Sequence, residues 1–201
     1  MNTKNFITTT LFVALSLLII SCKSEVEKQW SETSSAERLF EFQERGWKSK
    51  QVMNFTSDIQ YRATEVPIEY YLIKNQGTED TKAFDSIVAA HATERIIEFE
   101  FEHIKGKDLL EREYNNLSYD DAVVYMSSKI QNDFMAVTSS NDTIACSGVL
   151  FERHFKVSPF KRVMLFFGGI DPNETIKIIY NDRMFNNGNF SFDFNEDQIE
   201  L

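Results

Sequence analysis

The chain has 201 residues, enough for one domain with a sizeable hydrophobic core, and 18 of them are phenylalanine. An aromatic content of 13% is typical of a filled core rather than of a disordered chain. A formal net charge of −10 at pH 7 argues against nucleic acid and against an anionic headgroup surface as ligands, so we expect no nucleic-acid partner.

The N-terminus has the layout of a secretory signal. Lys4 precedes an apolar run from Phe6 to Ile20, and Ser21 and Cys22 follow. A charged head, an apolar stretch of about 7–15 residues and a small residue before the cut are the features of a cleaved signal peptide. The run is shorter than the ~20 residues that a spanning helix needs. We therefore predict a signal peptide over residues 1–21, cleaved between Ser21 and Cys22.

The end of this signal resembles the lipobox of bacterial lipoproteins, through Ile19-Ile20-Ser21-Cys22. The resemblance implies that Cys22 is lipidated and becomes the mature N-terminus, with enough acyl chains for stable anchoring in the membrane. Residues 22–34 are then the lipidated cysteine and a polar tether. The residue after Cys22 is Lys23 rather than Asp, which in this family favours the outer membrane. A loose resemblance of residues 23–28 to a surface-export signal leaves the periplasmic and surface faces both open.

The first half of the mature chain is predicted to mix helices and strands. A capping box at Ser34 and Glu37 predicts a short helix at about 35–45. Residues 59–74 are rich in β-branched and aromatic side chains, but Pro67 interrupts them, which favours two short strands or one edge strand. A helix is expected at about 80–92, with its apolar stripe at helical spacing.

The second half is predicted to become mainly β. Residues 95–103 alternate between apolar and acidic side chains, the pattern of a half-buried strand. Ser118 and Asp121 open a helix whose buried side carries Ala122, Met126, Ile130 and Phe134. From Ala136 onward strands alternate with turn signals, and Asn187-Gly188 indicates a type I′ hairpin.

These elements predict an α+β fold, with helices packed on one face of a mainly antiparallel sheet and a C-terminal β-meander. Residues 35–201 are expected to form a single domain. The exposed face or an edge of the sheet is the natural interaction surface.

The chain lacks the common catalytic signatures, so we assign no catalytic residue, no cofactor and no metal ligand. His91 and Glu94 are spaced to meet on one helix face, but a core histidine bonded to that carboxylate is the simpler reading. His103 is interpreted in the same way. Cys146 and His154 lie eight residues apart on one predicted strand, too far for a catalytic dyad.

Two acidic patterns have simple structural explanations. Glu98, Glu100 and Glu102 form a ladder on one strand face, which predicts a solvated outer face; binding of a cation or of a basic partner is the alternative. Asp120 and Asp121 are explained by a position in the first turn of a helix, where the helix dipole favours negative charge.

Thr143 and Ser86 each lie in an Asp-Ser/Thr-apolar tripeptide that resembles an O-glycosylation acceptor. Thr143, in a predicted turn, is the better site.

Two functions are compatible with these patterns. The first is a lipid-anchored binding or assembly module that contacts another envelope protein or a glycan. The alternative is an envelope hydrolase whose site assembles from His91, Glu94 and Asp171. A concave site where His91 or His154 meets carboxylates would favour the enzyme, whereas an exposed aromatic patch would favour the binding module.

Overall fold

The computed structural model describes residues 50–76, 81–153, 158–171 and 173–194. Several predictions fall outside these residues: the signal peptide, the lipidated Cys22 with its tether, the helix at 35–45, and His154.

Nine strands form two antiparallel sheets within the described ranges. The five-stranded sheet has the order β1-β2-β3-β7-β6, and the four-stranded sheet has the order β5-β4-β8-β9. The strands are β1 (Lys50–Thr56), β2 (Ile59–Val66), β3 (Arg95–His103), β4 (Phe134–Thr138), β5 (Thr143–Ala145), β6 (Gly148–Glu152), β7 (Phe160–Phe167), β8 (Ile176–Asp182) and β9 (Gly188–Asp193).

The helical segments connect these strands at two places. Between β2 and β3 lie α1 (Ile68–Gln76) and α2 (Thr81–Ala90). Between β3 and β4 lie α3 (Arg112–Asn115), α4 (Tyr119–Val124), a π-helical turn (Tyr125–Lys129) and a 3₁₀ turn (Ile130–Asp133). None of the described helices is long and apolar enough to cross a membrane.

The two sheets pack face to face around an aromatic core. Phe99 of β3 contacts Tyr180 of β8 and Phe192 of β9, with ring centroids 5.3 and 5.0 Å apart. The faces that meet are called the inner faces, and every one of these rings is fully buried. On the outer face of the five-stranded sheet, α1 covers one end, where Val66, Ile96 and Met164 are buried. Helix α2 packs on α1, with Phe84 buried against Leu72.

Strand β3 has the predicted bounds, and its alternation decides its two faces. Ile97, Phe99 and Phe101 point inward and are fully buried, so the three glutamates between and beyond them lie on the outer face. The α+β class, the mainly antiparallel pairing and the C-terminal β-meander are confirmed. The division of the strands between two sheets is a feature that the alternation of each strand does not specify.

The helix opened by Ser118 is also confirmed, in a shorter form. The hydroxyl of Ser118 accepts a hydrogen bond from the backbone N–H of Asp121 at 3.1 Å, as an N-cap does. Ala122, Met126 and Ile130 are fully buried, as predicted. The α-helix ends at Val124, and the chain continues through the π-helical and 3₁₀ turns, so that Phe134 is the first residue of β4.

The prediction for residues 59–74 is wrong. Strand β2 lies between β1 and β3 rather than at an edge, and it ends at Val66, directly before Pro67. The carbonyl of Pro67 accepts the N–H of Tyr71 at 3.1 Å, which starts α1. Proline has a fixed φ that suits a helix start and lacks the N–H that a continuing strand needs, so it separates a strand from a helix here.

The hairpin between β8 and β9 exists, but its turn is longer than a two-residue type I′ turn. The register joins Asp182 to Gly188, so residues 183–187 form the loop. Asn186 has a φ of 58° and Gly188 a φ of 90°. Met184 and Phe185 are buried, because the loop folds back onto the core instead of reversing at the tip of the hairpin.

The single strand predicted around Cys146 is interrupted. Strand β5 belongs to the four-stranded sheet and β6 to the five-stranded sheet, so the chain passes from one sheet to the other at Cys146 and Ser147. The Cys146 thiol is partly buried and donates to the carbonyl of Gly148 at 3.0 Å. Burial raises its pKa, which makes it a poor nucleophile.

Candidate functional site

The outer face of the five-stranded sheet carries a row of charged side chains of alternating sign. The register aligns Arg62 of β2 with Glu100 of β3, Glu100 with Arg162 of β7, and Arg162 with Glu152 of β6. Each residue therefore lies directly opposite one of the opposite charge. We call these four residues the charge ladder.

Glu100 is the centre of the charge ladder. Its side chain is 7% exposed, and its two oxygens contact Arg62 Nη1 at 2.7 Å and Arg162 Nη2 at 2.5 Å. Arg162 also contacts Glu152 and Glu98, each at 3.2 Å. Burial by itself would lower the pKa of Arg162, but the hydrogen bond that Arg162 donates to Glu100 and the surrounding carboxylates raise it. The guanidinium is thus held charged between three glutamates.

This network corrects the prediction of a solvated glutamate face. Glu100 is buried, because arginines from the two neighbouring strands neutralise it. Alternation within β3 places the glutamates on the outer face but does not show what lies opposite them. Arg62 and Arg162 are 38 and 62 residues away from Glu100 along the chain. The signal that was missed is the matching position of these arginines on the outer faces of β2 and β7.

Large apolar side chains lie on the same face beside the charge ladder. Met53 and Phe55 of β1 are 57% and 60% exposed, and Met53 lies directly opposite Arg62. On β7, the guanidinium of Arg162 lies 4.8 Å from the ring centre of half-buried Phe160. An exposed aromatic side chain next to ordered arginines is typical of the surfaces that bind other macromolecules.

A second polar cluster lies inside the core, where it joins the two sheets. The Asp182 carboxylate at the end of β8 accepts from the hydroxyls of Tyr61 at 2.7 Å and Tyr180 at 2.9 Å. It also accepts from the backbone N–H of Phe185 at 2.8 Å, and Asn187 donates to the Tyr61 hydroxyl at 2.7 Å. We call these side chains the Asp182 cluster. Burial and the nearby carboxylate raise the pKa of Tyr61, so both hydroxyls stay protonated as donors.

A neighbouring carboxylate, Asp133, ties the helical segment to the loop after β8. Its side chain is 1% exposed, accepts from the hydroxyl of Tyr125 and lies 3.5 Å from Arg183 Nε. Burial raises the pKa of Asp133, while the Tyr125 hydrogen bond and the Arg183 charge act in the opposite direction. Because every partner here belongs to the fold, this carboxylate is a structural group.

The histidine pair proposed for catalysis forms, but on the surface. His91 Nδ1 lies 2.8 Å from Glu94 Oε2, which confirms the pairing. The prediction that His91 is a core residue is wrong, since its side chain is 48% exposed. The Asp171 carboxylate accepts from the backbone and side chain of Asn173, so it serves its own loop. Among the described residues, Asp171 forms no hydrogen bond or ion pair with His91 or Glu94.

The other candidate residues are placed as follows. His103 is buried, and its Nδ1 accepts from the backbone N–H of Lys105 at 3.0 Å, as expected for a core histidine bonded to backbone. Thr143 and Ser86 are both exposed, so either hydroxyl is accessible to a modifying enzyme. Thr143 is the first residue of β5 rather than part of a turn, and Ile87 is half-buried rather than buried. Both reasons for preferring Thr143 to Ser86 are therefore wrong.

Neither a metal site in the described part of the chain nor a related protein identifies a function. Among the described residues, no three His, Cys, Asp or Glu side chains are grouped so that they could hold a metal ion. Comparison with protein-family models, with curated proteins and with solved structures finds no match to this chain. The exposed part of the outer face, formed by the charge ladder with Met53, Phe55 and Phe160, is therefore the candidate functional site on geometry alone.

The charge ladder predicts unequal effects of two similar substitutions in β3. Glu100→Gln removes the charge that neutralises two arginines, and we expect it to lower the free energy of unfolding by about 3 kcal/mol. Glu102→Gln alters a half-buried residue that forms no ion pair among the described residues, so its effect should stay within about 0.5 kcal/mol. Urea denaturation measures both. Equal effects would contradict the role given to Glu100.

The raised pKa of Asp133 predicts how stability depends on pH. The folded state holds the Asp133 proton more tightly than the unfolded state, whose pKa is near the ordinary 3.8, so protonation favours the fold. As the pH falls from neutral towards 3.8, the wild type should gain stability relative to Asp133→Asn. Urea titrations at a series of pH values give this difference. In Tyr125→Phe the gain should begin at higher pH, and a difference independent of pH would refute the assignment.

Proposed function

We propose that the protein is a lipid-anchored cell-envelope binding module, which uses the outer face of its five-stranded sheet to contact an envelope protein or a glycan. The observation that supports the proposal most directly is the exposure of Met53 and Phe55 beside the charge ladder. An exposed aromatic side chain beside an exposed methionine and ordered arginines favours a binding module over an envelope hydrolase.

The rigidity of the outer face adds to its suitability for binding. Glu100 lies between Arg62 and Arg162 and forms an ion pair with each of them. These contacts lie in the middle of a five-stranded sheet. Side chains that are already ordered lose little conformational freedom when a partner binds. Arginine and aromatic side chains are also the residues that most often dominate binding energies.

The N-terminal sequence supports the location. The lipobox resemblance at Ile19-Ile20-Ser21-Cys22 implies a lipid on Cys22, and Lys23 after it favours the outer membrane. The twelve residues that follow, polar except for Val26 and Trp30, can span up to ~40 Å when extended, enough to hold a domain clear of the headgroups. The proposed module would thus be held at the membrane while its sheet remains accessible to a partner.

The anchor is tested by labelling cells with a palmitate analogue. The wild-type protein should take up the label and stay with the membrane fraction, because its acyl chains are attached at Cys22. Cys22→Ser should carry no label. Cys146→Ser is the matched control: it removes the other cysteine and should remain labelled and membrane-bound. An unlabelled wild type, or a labelled Cys22→Ser variant, would contradict lipidation at Cys22.

The binding face is tested by cross-linking the anchored protein in its own envelope and quantifying what is recovered with it. A partner bound at the outer face should be recovered in near-equal amount with the wild type. Phe55→Ser should lower this recovery about tenfold, equivalent to about 1.4 kcal/mol of binding free energy.

Val124→Ser is the matched control for this experiment, because Val124 is an apolar side chain, 51% exposed, on α4 rather than on the sheet. It should leave recovery unchanged. Equal recovery with both variants would mean that the outer face does not bind the partner. Loss of a hydrolytic activity in His91→Ala would instead support the enzyme.

A further inference from the structure

We propose that β1 is an edge strand that pairs with β1 of a second copy of this chain, in antiparallel register centred on Met53. The pairing would join two five-stranded sheets into one continuous sheet. The inference rests on the proposed function in one respect, since the lipid anchor supplies the local concentration that such a small contact needs.

Strand β1 has the properties of an edge that is open to pairing. It is the outermost strand of its sheet and pairs with β2 at every position from Lys50 to Thr56, without a bulge. No described strand lies on its other side. Proteins usually protect such an edge with proline, a bulge or several charges. Strand β1 has no proline and no acidic residue, and Lys50 is its only charged residue.

The other edges are less suited to this role. Strand β5 spans only Thr143–Ala145. Strand β9 is six residues long and ends at Asp193. The hydrogen bond from Asn54 of β1 to the carbonyl of Ser191 of β9, at 3.1 Å, involves both edges and does not distinguish them. Strand β6 is five residues long and ends at Glu152, a member of the charge ladder. The seven residues of β1 are therefore the longest edge that is both regular and free of acidic groups.

The sequence of β1 is compatible with its own antiparallel copy. With Met53 opposite Met53 of the second copy, Gln51 lies opposite Phe55 and Lys50 opposite Thr56, so no like charges face each other. An acidic protein with a net charge of −10 would thus meet its copy along a segment without acidic residues.

The pairing also accounts for the exposed apolar side chains of β1. Met53 and Phe55 project from the outer face and are more than half exposed. In the centred register, these side chains of the two copies would cover one another across the new strand pair. The charge ladders would lie on either side of this shared apolar strip.

A seven-residue strand pair buries less than the ~1,200–2,000 Å² typical of stable interfaces, so the dimer should be reversible in solution. Anchoring through Cys22 would confine the copies to one surface and raise their effective concentration. We therefore expect the pairing to be seen most clearly on the lipidated protein in its own envelope.

The register is tested by disulfide cross-linking of the full chain in the envelope, in a Cys146→Ser background. After oxidation with copper phenanthroline, Met53→Cys should run as a dimer on a non-reducing gel. Gln51→Cys and Phe55→Cys should each stay monomeric, because their own copies lie about 13 Å apart along the strands. Co-expression of Gln51→Cys with Phe55→Cys should restore the dimer. Val124→Cys, exposed on α4, is the control for random collision.

A dimer formed only by Met53→Cys and by the mixed pair supports the proposal. Similar yields from every variant, including Val124→Cys, would overturn it, as would a Met53→Cys thiol that reacts with maleimide but gives no dimer. The two proposals fail separately. If palmitate labelling is lost while the Met53→Cys dimer forms in the released protein at high concentration, the anchor is refuted and the pairing stands. If labelling succeeds and the specific dimer is missing, the pairing alone is refuted.

Discussion

The buried carboxylate of Asp182 is the interaction on which the arrangement of the two sheets depends. It accepts from Tyr61 of the five-stranded sheet and from Tyr180 of its own sheet, so a single group fixes the distance between both layers. Its bond to the N–H of Phe185 also turns the loop after β8 into the core. A buried carboxylate is tolerated only when hydrogen-bond donors surround it, and two tyrosine hydroxyls and one backbone N–H do so here.

Because the inner faces are filled and joined in this way, interaction with a partner falls to the outer surfaces, and the outer face of the five-stranded sheet is the one that carries the charge ladder. One end of that face is covered by α1, on which α2 packs. The charge ladder crosses the sheet from β2 to β6, and its ion pairs hold the side chains in place around the buried Glu100. The exposed residues of β1 lie next to it, at the edge where the described chain begins.

Local patterns predicted single elements well and their partners poorly. The alternation of β3 gave its bounds, and the N-cap of Ser118 gave the start of a helix, because both depend on neighbouring residues. The two-sheet division and the neutralisation of Glu100 depend on residues far away in sequence, whose register no local pattern contains. The exposure of His91 escaped prediction for a related reason: an apolar stripe on α2 did not show where the helix would end.

The position of β1 also has a mechanical consequence. Any tension that reaches the domain through residues before Lys50 acts on the end of an edge strand, at the rung that joins Lys50 to Glu65. When the N-terminal end of β1 is pulled away from β2, the backbone hydrogen bonds between the two strands break one after another, from Lys50 towards the turn at Ser57. They do not share the force. The strand nearest the proposed anchor would therefore peel away first under load, while the aromatic core between the sheets remains intact.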